Sequence, residues 1–272
     1  PSGTAMPTRP PAAIAEAARA LAHKECAAIQ QALDSPAQVH EAIHSARKSI
    51  RHLRALLQLV EDRIPDAQRA DRILQRVGDS LSRLRDAHVA IATASRFITE
   101  DGPEHWLPVV QHLTRRRDSL LEKTLARDPA FARRRTRIER VAQLLEQLDW
   151  ARIRGKDLRH GLEKGQRRVE KAARRAARDP DPDNLHRWRR RVRKLRMQME
   201  AVKRIAPDIA KSAAQSSTSK QLKALHTLSD QLGDCQDLDV LQTLLDRIPA
   251  LPQRDHLRAC IRASATLPPL PG

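Results

Sequence analysis

Residues 44–54 read HSARKSIRHLR and residues 186–196 read HRWRRRVRKLR, so the pattern H-x-x-R-[KR]-x-[IV]-R-x-L-R occurs twice at a constant offset of 142. At about 100° per residue, an α-helix places His44, Arg47, Lys48, Arg51 and Arg54 on one side. Ile43, Ile50, Leu53 and Leu57 fall opposite them. In the second copy His186, Arg189, Arg190, Arg193 and Arg196 are backed by Trp188, Val192, Leu195 and Met199. Like charges at these spacings repel by a few tenths of a kcal/mol per pair, roughly. A helix that packs its apolar side inward and keeps such a stripe on the other side is therefore built to face something anionic.

A second pair of segments follows in the same order. LSRLRDAHV (81–89) resembles LGDCQDLDV (232–240), matching Asp86 to Asp237 and Val89 to Val240. Two pairs in one order point to an internal duplication, with an N-terminal half over 12–126, a connecting helix over 127–149 and a C-terminal half over 150–262. Residues 1–11 read as a tag remnant and disordered leader ending in native sequence from Met6, and 263–272 as a flexible tail. Breakers separate long amphipathic stretches: helices are expected over 12–33, 37–63, 66–98, 103–126 and from Pro129, the last weakened or bent at Gly155, Gly161 and Gly165. A basic helix to Arg178 then leads into the loop DPDPDN, where Asp183 or Asn184 is expected to cap a helix over 185–206. Pro207 and the SSTS run at 216–219 interrupt, and helices over 219–247 and 252–262 close the chain. With 2% aromatic residues, no Tyr and 8 Gly in 272 residues, a sheet protein is disfavoured and the expected class is all-α.

The chain carries 51 Lys+Arg against 33 Asp+Glu, a formal charge of +18. That surplus predicts a polyanionic partner, whether nucleic acid, anionic membrane surface or phosphate polymer. Cys26, Cys235 and Cys260 are far apart and form no CxxC, which suits reduced thiols in the cytoplasm, and no apolar run is long enough for a membrane span. No GxxxxGK[ST], GxSxG or HExxH occurs, so no enzyme is expected. Asp234, Asp237 and Asp239 depart from EF-hand spacing. They read as caps or as partners that orient arginines, and no metal site or cofactor is expected. Arg115–Arg117 and Arg133–Arg135 point around their helices and read as surface charge. Trp106, Trp150 and Trp188 read as core anchors, since they lack the dense interleaving of base-stacking platforms.

The two basic helices, each opened by a histidine, resemble the CHAD family, the conserved histidine α-helical domain. GLEKGQRRVEKAARRAARDPDPDNLH (161–186) resembles the family's approach to its second histidine, and GDCQDLDVL (233–241) its later Asp-containing turn. The resemblance spans about 12–262. It implies two pseudo-symmetric antiparallel four-helix bundles with a basic groove or channel between them. It also implies binding of long-chain inorganic polyphosphate, with some members at storage granules. His88 stands opposite Asp239, and Gln166 stands where relatives often carry an aromatic residue.

Candidate ligand residues on this reading are His44, Arg47, Lys48, Arg51, Arg54, His186, Arg189, Arg190, Arg193, Lys194 and Arg196. His40, Arg167, Arg168 and Lys223 are secondary candidates. His44 and His186 either donate to phosphate or brace the helix starts, and the sequence leaves both roles open. Two other functions also stay open: a nucleic-acid-binding protein using the same charge, and a structural protein of granule surfaces. Chain-length preference and oligomeric state are not legible.

Overall fold

The computed structural model describes residues 10–34, 38–212, 218–249 and 251–266. Residues 1–9 of the expected leader, 267–272 of the expected tail, part of the 34–36 turn and the first half of the SSTS run lie outside these. Every regular element among the described residues is helical. In chain order they are α1 (Pro11–Asp34), α2 (Val39–Leu59), α3 (Ala67–Ser80), α4 (Ser82–Glu100), α5 (Pro103–Arg127), α6 (Ala132–Gln147), α7 (Gly155–Arg178), α8 (Pro182–Ile205), α9 (Pro207–Ser212), α10 (Thr218–Leu245) and α11 (Arg254–Ser264). Single 3-10 turns, Pro129–Phe131 and Trp150–Arg152, precede α6 and α7. None of the described helices is long and apolar enough to cross a membrane.

Three buried clusters hold the helices together. The largest joins α1, α2, α3 and α6 with Trp150, Leu158 of α7 and the C-terminal half of α8. A second joins the C-terminal half of α4 and the start of α5 to α10 and α11, around the stacked rings of Phe97 and Trp106, whose centroids lie 4.4 Å apart. The third unites the C-terminal half of α7, the start of α8 and Leu232 of α10. The second cluster thus combines helices from the middle of the chain with those near its C-terminal end. All three tryptophans are buried.

Several local expectations change. The stretch 66–98 is two helices broken at Leu81: α3 packs into the first cluster, whereas α4 gives Leu84 to the first and its C-terminal half to the second. At the break the Gly78 carbonyl accepts from the Arg47 guanidinium, from Leu81 N–H at 3.2 Å and from Ser82 Oγ at 3.3 Å. A side chain from α2 thus satisfies the end of α3. The cap of α8 is Asp181, with Pro182 at the first turn, and its carboxylate accepts from Asn184 N–H at 2.7 Å; an N-terminal proline has no N–H to leave unpaired. Asn184 is instead buried and donates to Asp179 and Asp181. Arg134 and Arg135 are not idle surface charge. The first bridges Asp128 at 2.5 Å and lies over the Phe131 ring, and the second meets Asp34 at 2.5 Å.

The glycines of α7 lie within one continuous helix and let neighbours approach. A Cβ at Gly161 would fall 2.5 Å from the Leu59 carbonyl oxygen of α2. A Cβ at Gly155 would meet only the tip of the Ile209 side chain, at 2.6 Å. Backbone cannot swing aside as a terminal methyl can, so Gly161→Ala should cost about 1–3 kcal/mol in urea unfolding. Gly155→Ala should cost markedly less.

Candidate functional site

α2 and α8 are packed against each other and turn their apolar sides inward. Ile43, Ile50, Leu53 and Leu57 are buried on α2, and Trp188, Val192, Leu195 and Met199 on α8. Gln198, buried on α8, donates from Nε2 to the Ala55 carbonyl of α2 at 3.3 Å, fixing the pair. Their opposite sides line one cavity of about 730 Å³.

Of the candidates, Arg47, Arg51 and Arg54 reach this cavity from α2, and His186, Arg189, Arg190, Arg193 and Lys194 from α8. His44 and His40 line an adjoining cavity of about 560 Å³ with His88, and the His40 and His88 rings are stacked with centroids 5.2 Å apart. Lys48, Arg196, Arg167, Arg168 and Lys223 line neither. Lys48, Arg167 and Lys223 are exposed, Arg196 lies 3.8 Å from Glu200, and Arg168 lies 4.0 Å from Glu61. The two stripes are therefore unequal. Lys194 has His52 as its register equivalent, and His52 is drawn away to Glu25 of α1 at 3.5 Å.

Sequence reasoning missed Arg85, whose side chain lines both cavities, together with Asp86, Arg187 and Arg191. The matched segments held a signal for Arg85, since it stands opposite Gln236, which also lines the main cavity. Asp237, expected as a cap or as an arginine partner, lies 3.7 Å from Arg189. The main cavity wall holds ten Arg and Lys side chains against Asp79, Asp86 and Asp237.

Each stripe is held by its neighbours. Arg47 donates to Ser82 Oγ at 2.8 Å as well as to the Gly78 carbonyl. Arg189 donates to Gln236 Oε1 at 2.6 Å and lies flat against Gly233, where a Cβ would come within 2.9 Å of its Nη2. Arg54 is engaged by Asp71 at 2.8 Å and Gln75 at 3.2 Å. Other donors are not consumed. Arg47 Nε, Arg51 Nε, Arg85 Nη1 and Arg189 Nε are buried and find no acceptor among the described residues.

Burial, then the like charges of Arg193, Arg47 and Arg85, lowers Arg51 to about 9. Burial, then Arg189 and Arg47, lowers Arg193 to about 10. Lys194 is lowered to about 8 by burial and then by Arg168, against the pull of Glu61. Burial and neighbouring cations also depress His44 and His186, although a hydrogen bond donated to Gln236 partly supports the protonated form of the latter. Desolvation raises the carboxyls of Asp86 and Asp237 despite adjacent guanidiniums. The cavity can therefore offer directed, poorly satisfied cationic donors to an anion narrow enough to enter.

The comparisons agree on the family. The CHAD domain model matches residues 12–246. The chain belongs to the CHAD domain family. A crystal structure of the CHAD domain from the plant Ricinus communis superposes with a TM-score of 0.68 at 22% identity, covering 94% of this chain and 88% of that one. At that identity the likeness speaks for the fold. None of the curated proteins compared matches the chain. In this CHAD domain α11 lies beyond the matched residues.

The cationic crowding opposes folding of the free protein. Arg51→Met should raise its unfolding free energy by about 1–4 kcal/mol, read by thermal and urea denaturation; a lower midpoint would mean that the guanidinium has stabilising partners. Lys194 gives a pH test. Between about 8 in the folded state and about 10.4 in the unfolded chain, the unfolded state binds more protons, so this group adds stability as pH rises. Lys194→Met should accordingly exceed wild type in stability at pH 7 and lose that advantage by about pH 10.4.

Proposed function

We propose that this CHAD domain binds inorganic polyphosphate, without catalysing a reaction on it, in the cavity faced by α2 and α8. The observation that carries the reading is the convergence of both basic stripes on one cavity, with buried guanidinium N–H groups that lack protein acceptors. Polyphosphate has no bases to read, so recognition rests on charge and spacing. Arginine's planar fork bridges phosphate oxygens, and lysine adds a compact charge. Neighbours at i,i+3 and i,i+4 lie about 5 Å apart along a helix, a pitch that suits successive or alternate phosphates of an extended chain. Entry of the polymer releases counterions and relieves the repulsion among the arginines.

The duplication belongs to the same proposal. α2 packs against α8 and α4 against α10, each helix against the partner that the sequence matches to it. Arg47 rests on Ser82 as Arg189 rests on Gly233, and those two positions also correspond. These contacts support a pseudo-two-fold arrangement of the halves around a basic groove. Residence in the cytoplasm and attachment to polymer-bearing storage granules would follow from the same binding. Nucleic acid is the weaker reading, because Arg51 and Arg193 are recessed and no tryptophan is available for stacking.

Isothermal titration with defined-length polyphosphate tests the proposal. Each buried charged hydrogen bond contributes about 1.5–3 kcal/mol, so Arg51→Glu with Arg193→Glu should weaken binding by at least about 100-fold. Arg116→Glu with Arg137→Glu, both exposed, changes net charge equally and should leave affinity within a few-fold. Equal losses would reduce the interaction to bulk charge, and easy displacement of polyphosphate by duplex DNA would favour a general polyanion binder.

The histidines give a pH profile. Bound polyanion favours their protonated forms, whereas in the free protein both lie below the usual value near 6.5. Protons are then taken up on binding, and affinity should climb as pH falls from about 7.5 to about 5.5. His44→Asn with His186→Asn should flatten that rise. A flat wild-type profile would place the histidines outside the contact.

A further inference from the structure

Away from the cationic cavity, where α11 meets the turn between α4 and α5, four metal-ligating side chains come together. Asp101 ends α4 and His105 lies in the first turn of α5, while His256 and Cys260 are one turn apart on α11. The ligand atoms of Asp101, His105 and His256 all lie within 4.8 Å of one another. His256 Nε2 is 3.0 Å from each Asp101 carboxylate oxygen, His105 Nδ1 is 3.3 Å from Oδ2, and Cys260 Sγ is 3.6 Å from His256 Nε2. We propose that Asp101, His105, His256 and Cys260 form a tetrahedral binding site for zinc, one that clamps α11 to the rest of the domain.

The geometry is close to what zinc requires. Nitrogen and oxygen ligands at about 2.0 Å from a tetrahedral ion stand roughly 3.3 Å from each other, and a thiolate at about 2.3 Å stands roughly 3.5 Å from a nitrogen ligand. Three of the six edges of such a tetrahedron are in place within a few tenths of an ångström, and Cys260, outside the mutually close set of the other three, has to turn toward the ion to complete it. Histidine, thiolate and carboxylate together suit zinc rather than calcium or magnesium, which take oxygen ligands. Two negative and two neutral ligands also balance a divalent ion, in a chain whose +18 charge repels cations elsewhere.

The set is braced as metal ligands generally are. Asp101 Oδ2 accepts from the indole N–H of Trp106 at 2.9 Å, and that wholly buried ring stacks on Phe97. The carboxylate is thus oriented by the second buried cluster itself. The nearby cation Arg258 is turned to Asp246 at 2.7 Å and Asp255 at 3.3 Å. Without a metal these contacts still make a polar network, and the test must separate the two cases.

Chelator-treated wild-type protein, free of polyphosphate, should be titrated with Zn²⁺ by calorimetry and with Co²⁺ by absorption. One equivalent should bind, with intense tetrahedral d–d bands and a thiolate-to-cobalt charge-transfer band, and Zn²⁺ should raise the thermal midpoint. His256→Ala should weaken binding by at least about 100-fold and abolish the stabilisation by Zn²⁺. Cys260→Ser should retain weaker binding but lose the charge-transfer band. His160→Ala, beside Asp62 on α7, should change nothing. The proposal is overturned if wild type shows no saturable binding, if the cobalt spectrum lacks a thiolate band, or if His256→Ala binds as wild type does. None of these outcomes depends on polyphosphate.

Discussion

The arrangement rests on cations held close together out of water. Arg51 and Arg193 sit in one cavity wall with Arg47, Arg85 and Arg189, and burial together with neighbouring guanidiniums lowers the pKa of both. A free pair of helices would separate under that repulsion. Here the opposite sides of α2 and α8 are fastened by burial of Ile50, Leu53, Trp188, Val192 and Leu195. Each such side chain contributes about 1.5–3 kcal/mol, well above the few tenths lost per like-charge pair. Apolar packing therefore sets the position of the guanidiniums that line the cavity, and several of their buried N–H groups are left without an acceptor among the described residues. The same opposition makes the site a stability liability that an anion would relieve.

Much of this was legible in the sequence because helix geometry is local. An i,i+3/i,i+4 stripe fixes which residues share a side, so Arg47, Arg51, Arg54, Arg189 and Arg193 could be grouped from spacing alone. Spacing did not say which members of a stripe meet the cavity. Lys48 and Arg190 hold equivalent positions, yet only Arg190 lines it. Arg85 escaped notice because it lies on α4, and only the packing of α4 against α2 and α10 turns it into a wall. The break at Leu81 was equally hidden. Its carbonyl partner comes from Arg47, about thirty residues earlier in the chain, and a helix pattern carries no trace of such a contact.

Glycines and caps show a related limit. Gly161 and Gly165 looked like weak points, since glycine costs a helix about 1 kcal/mol. In the fold they are positions where α2 and α8 come too close for a side chain. The run DPDPDN announced a helix start, but four of its residues are Asp or Asn and could have capped it. Asp181 prevailed because Pro182 occupies the first turn and Asn184 turns inward.

The chain by itself determined that the protein would be helical, strongly cationic on chosen helix sides, and repetitive in its two basic segments. These properties follow from short-range periodicity and composition. Tertiary structure alone decided that the stripes share a cavity, that α4 and α5 share a core with α10 and α11, and that Asp101 and His105 meet His256 and Cys260. The i,i+4 spacing of each of those two pairs was visible in the sequence. Their meeting was not, because about 150 residues separate them and only the packing of α11 beside Trp106 brings them within bonding range.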